Sequence, residues 1–207
     1  VLKGEQTRKE IVARALEVAS QVGLEGVTLG TLASDLGMSK SGLFAHFKSK
    51  EALQLEALQE IVDRFVVTVI RPALAQPRGE PRLRALFEND LAWIKGSFFR
   101  GGCLLISLSY EYDDRPGPIR DLLVRSQRDW LASLARATHI AVEEGHFRAD
   151  LDCDQFAYQM QSLCMGYQYN SRLLGDAKAE KQLRASFEQL VLSSRPATPP
   201  RPTTKKS

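Results

Sequence analysis

Residues Thr28 to Lys50 read TLGTLASDLGMSKSGLFAHFKSK, and their punctuation spells two short helices around one glycine turn. Thr28 is an N-cap for a helix whose apolar residues Leu29, Leu32, Ala33 and Leu36 fall at helical spacing. Val27 and Leu32 occupy the N′ and N4 positions of a hydrophobic staple. Gly37 ends that helix. Ser39 caps the next one, in which Leu43 and Phe47, four residues apart, face back toward the first. Lys40, Ser41, Gly42, Phe44 and Ala45 are left on the outward face, with the first three at the end that a recognition helix offers to a major groove. The pattern is a helix-turn-helix, and the partner it implies is a double-stranded DNA operator.

Hydroxyls cap helices whether or not DNA is present, and single lysines are ordinary solvated charges. The arrangement favours DNA, because phosphates are held by helix-start amides, hydroxyls and cations. Here three capped starts (Thr28, Ser39, Ser49) and three lysines (Lys40, Lys48, Lys50) share one short stretch. Gly42 adds to this. Glycine costs about 1 kcal/mol against alanine inside a helix, so its place on the outward face fits a close approach of the backbone to DNA, or else a local bend. The expected DNA-contacting set is Thr28, Ser39, Lys40, Ser41, Gly42, Phe44, Ala45, His46, Lys48 and Lys50.

The run from Gly37 to Leu53, GMSKSGLFAHFKSKEAL, resembles the signature of the tetracycline-repressor (TetR) family of bacterial transcriptional regulators. The stretch from Arg8 to Val22 supplies the first helix such a head needs, with Ile11, Ala15, Ala19 and Val22 on one face and Gly23 as its stop. Ser41 and Gly42 exchange the order usual in that family, and Phe44 replaces a tyrosine. A phenyl ring offers apolar contact to sugar or to a thymine methyl, where a tyrosine would add a hydroxyl for phosphate.

The resemblance implies an all-α protein with a helix-turn-helix DNA-binding domain over 1–50 and a helical ligand-binding and dimerisation domain over 51–194. It further implies a homodimer formed through the last two helices and a small-molecule effector among the middle ones. By position, Trp93, Cys103, Tyr110, Trp130, Met160 and Cys164 fall near that effector, and Phe187, Leu190 and Val191 near the partner. Gln127 and Tyr167 join the expected lining, since buried aromatics need polar companions. Trp93, Phe98, Phe99, Tyr110, Tyr112, Trp130, Tyr167 and Tyr169 serve equally well as core.

Helical patterns fill the rest, and no alternating run is long enough for a sheet. Ser49 starts a long helix to about Ala75, ended by Pro77 and Gly79. Further helices are expected near Pro81 to Lys95, Cys103 to Tyr112 and Ile119 to Glu144. Asp152 with Gln155 offers a capping-box start for one running to about Leu174, and a last helix covers Lys178 to Ser193. Residues 195–207, RPATPPRPTTKKS, are too poor in apolar side chains to pack and are expected to be a disordered basic tail.

Composition alone would not single out a regulator. The net charge of +3 comes from the tail, because residues 1–194 carry 24 basic against 25 acidic groups. Attraction to phosphate is therefore local to the head. No apolar run reaches the length of a membrane span and no signal-peptide pattern opens the chain, which fits the cytoplasm. Cys103, Cys153 and Cys164 form no CxxC pair, and His46, His139 and His146 lack metal spacing, so neither cofactor nor metal is expected. No GxSxG, HExxH or phosphate loop suggests an enzyme. Cys103 follows two glycines at a helix start, which lowers a thiol pKa, yet Leu104-Leu105-Ile106 beside it points into a core where a cysteine is inert. The resulting expectation is a ligand-responsive repressor, with a helical binding or scaffold protein lacking DNA affinity as the alternative.

Overall fold

Thr28, Ser39 and Ser49 each place a side-chain oxygen on the backbone N–H three residues ahead, accepting from Thr31 at 3.1 Å, Gly42 at 3.0 Å and Ala52 at 3.1 Å. A computed structural model describes residues 3–96 and 101–197, and every regular element among them is helical. The three caps open α2 (Leu29–Asp35), α3 (Lys40–His46) and α4 (Lys50–Phe65), which follow α1 (Lys3–Val22). Val27 and Leu32 are both buried, as a hydrophobic staple requires. Gly37 takes φ +62 between α2 and α3, and the Met38 N–H returns to the Ala33 carbonyl at 2.8 Å, closing the turn.

The head packs around Leu43 and Phe47, which are buried in one cluster with Leu16, Leu32 and Leu53. Burying a side chain such as Phe47 contributes about 2 to 3 kcal/mol. Along α1 the buried face is Ile11, Val12, Ala15, Leu16 and Ala19. Val22 continues that stripe in sequence but is 58% exposed, so the buried face of α1 ends at Ala19.

The connector does not stop at Pro72. After Phe65 it widens into a π-helical turn, Val66–Ile70, and resumes as α5 (Arg71–Leu74). Proline has no N–H and its ring crowds the carbonyl four residues back. The wider turn absorbs this, with the Arg71 N–H bonding the Val66 carbonyl five residues earlier. The body adds α6 (Glu80–Ile94), α7 (Leu104–Glu111), α8 (Pro118–Glu143), α9 (Cys153–Gln168, extended by a π turn Tyr169–Leu173) and α10 (Ala179–Ser194). Asp152 caps α9 by accepting from the Gln155 N–H at 2.9 Å.

Phe87 of α6 stacks on Phe187 of α10, ring centroids 3.8 Å apart. Phe187 and Val191 thus face inward within the subunit, which corrects the expectation that they meet a partner; Leu190 is half-buried. Arg195, expected in the tail, ends α10 and donates to Glu80 at 2.9 and 2.6 Å. The rest of the expected tail, from 198 on, lies outside the described residues, as do Phe98 and Phe99.

Candidate DNA-binding head and effector cavity

The outward face of α3 exposes Lys40, Ser41, Phe44 and Ala45, while Gly42 and His46 are half-buried. Thr28, Ser39 and Lys48 are also exposed. Phe44 leaves half of its surface in water, which a folded monomer gains nothing by doing. Lys40 folds back over the start of α2, near Gly30. The Ser39 and Ser41 hydroxyls lie 3.1 Å apart at the start of α3.

Lys50 is placed differently. Its Nζ donates to the Glu25 carbonyl at 2.7 Å and to a Glu25 carboxylate oxygen at 3.0 Å, tying α4 to the α1–α2 turn. In the DNA-free chain this pair competes with the phosphate contact expected of Lys50. The orientation of α3 depends on Arg8, which sequence reading passed over. Its guanidinium lies over the Phe47 ring at 4.2 Å, donates to the His46 carbonyl and pairs with Glu56 of α4. Nothing local in the sequence joins residues so far apart.

Behind the head, a cavity of about 330 Å³ opens between the connector and the middle helices. Val62 and Phe65 of α4 and Val66 and Ile70 of the π turn form one wall. Leu105 and Ile106 of α7 form another, with Cys103 just before it. Ser126, Gln127, Asp129, Trp130 and Ser133 come from α8, Gln161 from α9 and Asp90 from α6. Phe65 meets Trp130 edge-to-face at 5.0 Å and Trp93 at 5.5 Å. The Trp130 indole N–H donates to Gln161 at 2.8 Å.

Of the expected lining, Cys103, Gln127 and Trp130 come together here. Trp93 stands behind Phe65, and Met160, Cys164 and Tyr167 are buried outside the lining. Tyr110 is 63% exposed and turned away, because α7 buries Leu104, Leu105, Ile106 and Leu108 instead. Asp90 was legible and missed. It follows Leu83 by seven residues and Leu86 by four, a carboxyl on the apolar stripe of α6. Only 4% exposed, it is pushed up to about 7 by burial, with the Cys164 thiol donating to it. Burial likewise pushes the Cys103 thiol up to about 12, so that thiol is held protonated and inert.

Head and cavity share two elements. α7 lines the cavity with Leu105 and Ile106, and at its far end Glu111 accepts the Leu24 and Glu25 N–H groups at 3.1 and 2.8 Å. Tyr112 then donates to the Glu25 carboxylate at 2.9 Å. Gly23 makes room for this contact: it takes φ +76, and a Cβ there would stand 2.5 Å from the Glu111 carboxylate. From α4, Gln54 donates to the Leu24 carbonyl at 2.8 Å.

No helix among the described residues is long and apolar enough to cross a membrane, and no group of three metal-ligating side chains occurs among them. Residues 11–57 match the family model for bacterial regulatory proteins of the tetR family, and residues 79–187 match the tetracyclin repressor-like C-terminal domain. The Escherichia coli class C tetracycline repressor protein is 45% identical over 83 residues, 40% of this chain. The chain spans 35% of that relative's length. A TetR-family regulator from Cytophaga hutchinsonii superposes with a TM-score of 0.85 at 22% identity, covering 96% of this chain and 99% of that one. AibR, solved in complex with isovaleryl coenzyme A and operator DNA, superposes at 0.70 with 19% identity, covering 87% and 98%. With a helix-turn-helix head matching one model and over half the chain matching the other, the protein belongs to the TetR family of DNA-binding transcriptional regulators, which are not enzymes.

Proposed function

We propose that the protein is a cytoplasmic homodimeric repressor that binds an inverted-repeat operator and is released by a small molecule held in the cavity between α4, α6, α7 and α8. Residues 1–50 serve as the reading head and 51–194 as the effector and dimer unit. Each subunit lays α3 in a major groove, with Lys40, Ser41, Gly42, Phe44 and Ala45 toward the bases and Thr28, Ser39 and Lys48 toward the backbone. The observation that carries this reading is that α4 and α7 each touch both the cavity and the α1–α2 turn. A ligand that prefers another setting of α7 against α4 shifts the two heads out of register with the half-sites. It does so only to the extent of its differential affinity for the two arrangements.

The dimer face we assign to the groove between α9 and α10, lined by Tyr158, Gln159, Ser162, Leu163, Gln189 and Leu190. Tyr158 leaves more than half of its surface exposed in this groove, an apolar ring that pairing with a second copy would cover.

Selection from a random duplex pool tests the proposal. The recovered sites should be inverted repeats whose half-sites lie about one helical turn, or a multiple of it, apart, with an isolated half-site binding poorly at matched salt. Equal affinity for one half-site and the full repeat would remove the dimer model, and no selection above non-specific binding would leave a helical binding protein without an operator.

A further inference from the structure

The chemistry of the cavity wall is lopsided. Two carboxylates line it, Asp90 within and Asp129 on the exposed surface of α8, and among the described residues no lysine, arginine or histidine does. Asp90 is 4% exposed, and among the described residues the group that eases its charge is the weak S–H donor of Cys164. A carboxylate offers about four lone-pair sites. Burying it beside so weak a donor is costly, and that cost falls when a cation arrives. The Phe65 and Trp130 rings stand in the same wall, edge-to-face, with Val62, Val66, Ile70, Leu105 and Ile106 around them. Ring faces attract cations, more strongly where water is excluded.

We propose that the cavity takes an amphipathic organic cation, its ammonium group at Asp90 and its aromatic or branched apolar body against Phe65 and Trp130. This rests on the reading of the cavity as the effector site and names the class of effector. The volume of about 330 Å³ lies at the small end of ligand pockets, about 300 to 1,000 Å³, and suits one ring with a short arm. Gln127, Ser126 and Ser133 are left for hydrogen bonds along the body. Among the described residues an anionic metabolite would meet two carboxylates and no countercharge.

Calorimetric titration of the DNA-free dimer with 4-phenylbutylammonium and with 4-phenylbutan-1-ol, at about pH 8, tests the assignment. The two probes match in shape and differ in charge. The ammonium should bind the wild type at least tenfold more tightly than the alcohol. Asp90→Asn should reduce that ratio to within about twofold. Equal binding of the two probes by the wild type, binding of neither, or a preference for the ammonium that survives in Asp90→Asn would each overturn it. Should Asp90→Asn fail to fold, the two probes on the wild type still decide. The effector reading is judged separately, by operator affinity with and without each probe. An ammonium that binds through Asp90 yet leaves operator affinity unchanged upholds the cation site and removes the effector role. Release by the alcohol, with Asp90→Asn without effect, does the reverse.

Discussion

The phenolic hydroxyl of Tyr112, which ends α7, donates to the carboxylate of Glu25 in the α1–α2 turn at 2.9 Å, and the same carboxylate holds the Lys50 ammonium at the start of α4. One exposed side chain in the head therefore ties together the two helices that reach the cavity. Both partners drive Glu25 below the usual carboxylate range, Lys50 first and Tyr112 second, while burial and the neighbouring carboxylate push Tyr112 up.

Loss of this grip should loosen the turn locally without unfolding the body. Tyr112→Phe keeps the buried ring and removes one part-buried hydrogen bond to a charged group, worth about 1 to 2 kcal/mol. Glu111→Ala removes the acceptor of two backbone N–H groups. Hydrogen exchange at the Leu24 and Glu25 amides should speed up roughly fivefold in the first variant and tenfold or more in the second. Amides of α9 and α10 should not change. Unaltered exchange at Leu24 in Glu111→Ala would mean that α7 does not restrain the head.

Lys48 and Lys50 should part company on DNA. Lys48 is exposed, and Lys48→Ala should weaken all duplex sequences alike while lowering the salt slope by about 0.9 for one lost phosphate contact. Lys50 is committed to Glu25, so Lys50→Ala should leave the slope unchanged and lower the stability of the head instead. Binding isotherms at four or five salt concentrations separate the two, and a reduced slope in Lys50→Ala would restore it as a phosphate ligand.

Asp90 sets a pH signature. Its carboxyl ionises near the usual carboxylate range in the unfolded chain, and burial pushes it up to about 7 in the folded one. Between those values the folded state holds a proton that the unfolded state has lost, so stability falls as pH rises from about 4 to about 7 and levels off above. Asp90→Asn removes that slope. The variant should match the wild type at pH 4 and exceed it above pH 7 by a few kcal/mol at most, in urea unfolding at each pH. Parallel pH profiles would show that Asp90 is better solvated than its burial implies.

What could be read in the sequence follows from how locally each feature is determined. The caps at Thr28, Ser39 and Ser49 and the turn at Gly37 involve residues three to five apart, and they occur as read. The π turn at Val66–Ile70 was also local, since Pro72 announces a disturbed hydrogen-bond ladder, yet a proline near a helix end reads more simply as part of its stop. The cavity lining needed distances in space. Phe65 from the connector, Asp90 from α6 and Trp130 from α8 meet only because α4 packs on α8 and the π turn that continues it packs on α6. Periodicity marks each as inward-facing and cannot say whether inward means core or cavity. Tyr110 illustrates the converse, an aromatic side chain left on the wet face of a helix whose other residues saturate the core. Lys50 and Glu25 stand 25 residues apart, so no spacing rule links them.

Gly42 is where fold and DNA contact pull on the same atom. A Cβ there would sit 3.1 Å from the Ser39 Oγ, the oxygen that caps α3 through the Gly42 N–H at 3.0 Å. Alanine gains about 1 kcal/mol over glycine in a helix, and a crowded cap forfeits about as much, so Gly42→Ala should melt within a few degrees of the parent. In a Ser39→Ala background the crowded hydroxyl is gone, and the same substitution should then stabilise by close to the full 1 kcal/mol, a non-additivity that a double-mutant cycle reads directly. Gly42→Val adds bulk on the face assigned to the groove and should reduce operator affinity at least tenfold, far more than its melting temperature accounts for. Ser41→Ala, which loses one hydroxyl, should cost about 1 kcal/mol of binding or less. If Gly42→Val binds operator like the parent, that face of α3 does not lie against DNA. If Gly42→Ala is equally stabilising with and without Ser39, the glycine was never needed for the cap and its place on the outward face belongs to DNA alone.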